Sequence, residues 1–144
     1  MATRSSIAAK FSDGTFKCVY CHFDGYLSGN GKTLLEHYNT PEKVEKMISL
    51  GDMSCLGINT EAPSWHTYDN PVTDCSVYYS RDRGDKWEDS KPKEGVTLGG
   101  ATRGARQEYN YFWDGEMWMV DCCGTNGSIP LADAIANRVD EDDE

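Results

Sequence analysis

At 144 residues, 38% hydrophobic and 26% charged, the chain predicts a single globular domain and excludes a disordered or low-complexity protein. No apolar run approaches the ~18–20 residues of a membrane span, and the opening Met1-Ala2-Thr3-Arg4-Ser5-Ser6 has no signal-peptide core, so a cytoplasmic protein is expected. The formal net charge of −10 disfavours direct contact with nucleic acid, because the long-range field repels phosphate.

The first predicted element is a β-hairpin. Ser6 to Phe11 and Phe16 to Phe23 flank the turn Ser12-Asp13-Gly14-Thr15, and Asp-Gly between two apolar-rich runs is a strong hairpin signal. Phe16, Cys18, Tyr20 and His22 share one face of the second strand, while Val19, Cys21 and Phe23 share the other. Both faces carry apolar groups, which predicts a central strand. A glycine-rich loop, 24–31, leads to a helix near Lys32 with Leu34, Leu35 and Tyr38 at core-facing spacing. A second helix follows, with Thr40 as N-cap, Pro41 at its first position, and Val44, Met47 and Ile48 as its buried stripe.

Residues 52–74 read as irregular, punctuated by Gly57, Pro63 and Pro71. Cys75 to Ser80 reads as a strand. Segment 81–107 is a long polar loop, expected to be mobile, with seven basic residues against five acidic ones. A second hairpin, Glu108 to Trp113 and Glu116 to Asp121 around Asp114-Gly115, is the most aromatic stretch. Pro130 opens a last helix with Leu131, Ala134, Ile135 and Val139 on its apolar face. The predicted fold is α+β: a mostly antiparallel sheet of two Asp-Gly hairpins plus one further strand, with two or three helices on one side. Residues 1–139 form the domain, and 140–144 an acidic tail read as a solvated end.

Several residue groups suggest chemistry, and none completes a catalytic motif. Gly29-Asn30-Gly31-Lys32-Thr33 resembles a phosphate loop, but Tyr26 stands where the first glycine is required. The turn is either a plain junction or an anion site at a helix entry. Cys18-Val19-Tyr20-Cys21-His22 has the spacing of covalent haem attachment, a chemistry of exported proteins. A zinc site from Cys18 and Cys21 with His66, Cys75, Cys122 or Cys123 requires a broken strand, since residues three apart point oppositely. His22, His37 or His66 paired with a carboxylate or cysteine gives no more than chance pairings. No catalytic residue, metal or cofactor is assigned. The six cysteines read as reduced, mostly buried small residues.

The blocks Thr3-Arg4-Ser5 through Ile7, Tyr20 to Tyr26, Gly31 to Tyr38, Gly51 to Gly57, Arg81 to Gly84 and Trp113 to Trp118 span most of residues 3–120. Together they resemble a group of small tailed-bacteriophage proteins. That resemblance implies an accessory protein made in the cytoplasm of an infected bacterium, and it carries no activity to transfer. The expected role is a non-enzymatic protein that binds and inhibits a bacterial host or defence protein, its acidic surface standing in for nucleic acid. The alternative is a binder of a nucleotide-like signal through Tyr26, Gly29, Gly31, Lys32, Arg81, Arg83, Arg103 and Arg106, with Trp65 and Trp87 as stacking groups.

Overall fold

In the computed structural model, residues 2–123 and 127–137 are described, and the acidic tail and Val139 lie outside them. The two hairpins form as their turn chemistry requires. β1 (Ser5–Lys10) and β2 (Phe16–Cys21) pair antiparallel around Gly14, whose φ of 89° favours glycine. The Asp13 carboxylate accepts from the Thr15 amide at 2.9 Å and fixes that turn. Asp114 repeats the device between β6 (Tyr109–Trp113) and β7 (Trp118–Cys122), accepting from the Glu116 and Met117 amides.

The hairpins join through a parallel pairing of β1 with β6, in which Ile7 lies opposite Tyr111. The sheet is therefore mixed, though mostly antiparallel. It holds more than the single extra strand expected. β3 (Met53–Cys55) runs parallel to β2 at Cys21, and β4 (Val77–Tyr78) pairs with β3. β5 (Lys93–Gly95) takes the rest of the same β2 edge, and β8 (Ile129–Pro130) borders β7. These strands are two or three residues long, too short to show a period of two.

Ile7, Ala9, Val19, Cys21, Tyr111, Trp113, Trp118 and Val120 share one sheet face, and the main core covers it. Leu34 of α1 (Lys32–His37), the Val44-Met47-Ile48 stripe of α2 (Pro41–Ser49) and Leu131 of α6 (Leu131–Ala136) supply the opposite wall, each fully buried. Thr40 caps α2 as expected, its hydroxyl accepting from the Lys43 amide. Pro130 precedes α6 rather than opening it.

Segment 81–107 carries structure of its own. The expected strand 75–80 stops after Tyr78, where α3 (Tyr79–Arg83) begins because the Asp82 carboxylate reaches back to the Tyr78 amide at 2.7 Å. α4 (Trp87–Ser90), β5 and α5 (Leu98–Ala101) follow, with Thr97 capping α5 through the Gly100 amide at 3.0 Å. Here α5 lies against β1 and β2 beside Ser6, Ala8 and Phe112, which face away from the main core. Helices thus pack on both faces rather than one.

Candidate functional site

The eight residues expected to bind a ligand occupy three places in the fold. Tyr26, Gly29, Gly31 and Lys32 lie on or beside a π turn, Leu27–Gly31, that runs into α1. The turn is tied inward: the Asn30 amide group donates to Ser5 Oγ at 3.2 Å and to the Phe23 carbonyl at 3.1 Å. A Cβ on Gly29 would lie 2.4 Å from the Asp24 carbonyl oxygen, so close backbone approach explains that glycine. Arg81 and Arg83 belong to α3, while Arg103 and Arg106 follow α5.

Arg81, though partly exposed, is already engaged by its neighbours. Its guanidinium donates to the Thr60 and Ser76 carbonyls at 2.6 and 3.0 Å and makes a two-point contact with Asp82. Asp82, 5% exposed at its side chain, also lies 3.3 Å from His66 Nε2. His66 Nδ1 accepts from the Val72 amide at 2.9 Å, so the ring proton sits on Nε2 and faces the carboxylate. Burial alone pushes the Asp82 carboxyl up. The Arg81 guanidinium, the Tyr78 amide and His66 outweigh it and hold the carboxyl below the usual range. This cluster pins residues 59–76 onto the sheet. Nδ1 is occupied by the Val72 amide, and Nε2 is buried beside Asp82 without a hydrogen bond of its own.

On β2, Cys18 and Cys21 leave opposite faces of an unbroken strand, so their sulfurs do not converge on one ion. Burial pushes both thiols up to about 12. Among the described residues, no group of three or more His, Cys, Asp or Glu side chains is placed to hold a metal. One cysteine expectation is corrected: Cys122 and Cys123 form a disulfide. Adjacent sulfurs meet because Cys123 adopts φ 62°, a conformation unusual for a side-chain-bearing residue.

A surface that the sequence indicated only in part involves the end of β2 and the start of α3. Phe23 meets His22 edge-on at 4.5 Å, and His22 Nδ1 shares a 2.5 Å hydrogen bond with the Tyr20 hydroxyl. Arg83 lies over both Tyr79 and Tyr68, 4.3 and 5.0 Å from the ring centroids. Asp85 grips the guanidinium through two hydrogen bonds of 2.7 and 2.8 Å and raises its pKa. Phe23 and Arg83 are exposed, and the tyrosines and His22 are half-buried. Asp52 supports the group from behind, accepting from the Tyr20 amide through its carboxylate and from the Tyr79 amide through its carbonyl.

The alternation of β2 places Tyr20 and His22 together. Nothing in the irregular stretch around Tyr68 signals that it meets Tyr79. Four aromatic side chains, a histidine and a pinned arginine on one surface match the residue types that dominate binding energy at protein interfaces. No protein-family model matches this chain, and neither do any curated protein or solved structure.

Proposed function

We propose that the chain is a non-enzymatic phage accessory protein that binds and inhibits a bacterial host or defence protein through the Phe23–His22–Tyr20–Tyr79–Tyr68–Arg83 surface. The observation that carries this reading is the aromatic surface itself, with its guanidinium held in place before any partner arrives. Side chains already fixed by neighbours lose little entropy on binding, which favours affinity. The net charge of −10 adds long-range attraction to a basic partner surface of the kind that otherwise meets nucleic acid. The similarity of the sequence blocks to small tailed-phage proteins supports the bacterial setting.

The test is affinity capture from bacterial lysate with the tagged chain, beside the Phe23→Ala and Arg83→Ala variants. The expected result is one stoichiometric partner, retained better at low than at high salt and lost with either variant. A partner held equally by both variants, or no partner at low salt, would refute the reading.

A further inference from the structure

The face of the sheet turned away from the main core carries a second feature, independent of the aromatic surface. Between this face and α5 lies a cavity of about 220 Å³, whose walls include Ala8, Leu98, Thr102, Arg106, Phe112 and Asp121. We propose that this cavity binds a nucleobase-like heterocycle: a flat, neutral ring system with hydrogen-bond donors and acceptors along one edge.

Shape comes first. Ala8 is a small residue on a central strand, so space opens above it where a longer side chain would meet α5. Leu98 faces the slot from the helix side and Phe112 from the sheet side. The Phe112 ring is braced by Phe16, stacked at 6.2 Å and 25°. Apolar walls on two sides suit a planar ring, whose faces are apolar and whose edge is polar. The volume is below the ~300 Å³ at which sites for drug-sized ligands begin, so the base enters and an attached sugar stays outside.

The polar groups then limit the chemistry. Asn110 is already committed: its carbonyl oxygen accepts from Ser6 Oγ at 2.8 Å and the Gln107 amide at 2.9 Å. Its amino group donates to the Gln107 and Asp121 carbonyls at 2.8 and 3.3 Å. Asn110 therefore positions the site rather than reading the ligand. Arg106 and Asp121 both line the cavity and touch through Nη1 and Oδ2 at 3.0 Å; the guanidinium has further donors and the carboxylate a second oxygen for a ligand. A donor beside an acceptor is the complement of a heterocycle edge that carries an acceptor beside a donor.

The charges of Arg106 and Asp121 sum to zero, so a free anion gains no net attraction there. A zwitterionic amino acid would have to separate the ion pair to use both charges, whereas a neutral heterocycle bonds both groups and leaves the pair closed. The small-molecule reading of the sequence thus moves from the glycine turn to this face, and of the residues first named for it only Arg106 is retained.

The test is a titration of the full chain, isotope-labelled for amide NMR, with adenosine, guanosine, cytidine and uridine; leucine and inorganic phosphate serve as comparators. The expected result is that at least one nucleoside shifts the amides of Ala8, Leu98, Thr102 and Phe112, while leucine and phosphate do not. Asp121→Asn and Arg106→Gln should each weaken that binding about tenfold, the loss of one charge-assisted hydrogen bond. Arg106 is exposed, so its variant keeps the fold and decides the matter if Asp121→Asn unfolds. The proposal is overturned if no nucleoside shifts these amides, if leucine or phosphate shifts them as strongly, or if Arg106→Gln binds like the unsubstituted chain.

Discussion

Asp82 shows how one carboxylate can organise a fold that has few long elements. It accepts from the Tyr78 amide, pairs with Arg81 and faces His66, and through them it holds β4, α3 and the loop 59–76 together. Removing it takes the acceptor from the Tyr78 amide and the partner from the partly exposed Arg81 guanidinium, so Asp82→Ala should cost about 1–3 kcal/mol in chemical denaturation. The pH dependence follows from the same contacts. A carboxyl whose folded pKa is depressed contributes stability that is present above its unfolded value of about 4 and is lost as pH falls through the folded value. Unsubstituted protein should therefore lose stability below about pH 4, and Asp82→Asn should show a shallower acid limb. An identical acid limb in the two proteins would show that Asp82 is not the group responsible. Composition alone placed Arg81 among ligand-binding candidates. The contacts that engage it come from Thr60 and Ser76, distant in the chain and without a local pattern to mark them.

Among the elements, both Asp-Gly hairpins and α2 were legible because their signals are local: a turn residue with the right φ, a capping threonine, a proline at the first helical position. The parallel pairing of β1 with β6 was not, since it joins residues about a hundred positions apart. β3, β5 and β8 escaped because two or three residues show no alternation. α3 took the last two residues of an expected strand because a side chain four residues on captured the Tyr78 amide. At the end of β7 the adjacent cysteines are joined, while Cys18, Cys21, Cys55 and Cys75 remain free. Thiol titration of the denatured protein should find four thiols without reductant and six after reduction. Six before reduction would contradict the disulfide.

On the scale of the whole molecule, charge and surface chemistry divide the work. In the proposed function the net charge of −10 would act at long range and set how fast a basic partner is met, an effect that weakens as salt rises. The aromatic surface would act at contact and set how long the partner stays. The acidic composition was evident in the sequence; the assembly of Phe23, Tyr68 and Tyr79 into one surface required the fold. The central claim is that this surface, and not the glycine turn, receives the protein partner. Photo-crosslinking in bacterial cells tests it most directly, with p-benzoylphenylalanine replacing Phe23, Tyr68 or, as the comparison on the helical side, Lys32. The account predicts one shared crosslinked partner from positions 23 and 68 and none from position 32. A partner captured from position 32 alone, or no adduct from 23 and 68, would contradict it.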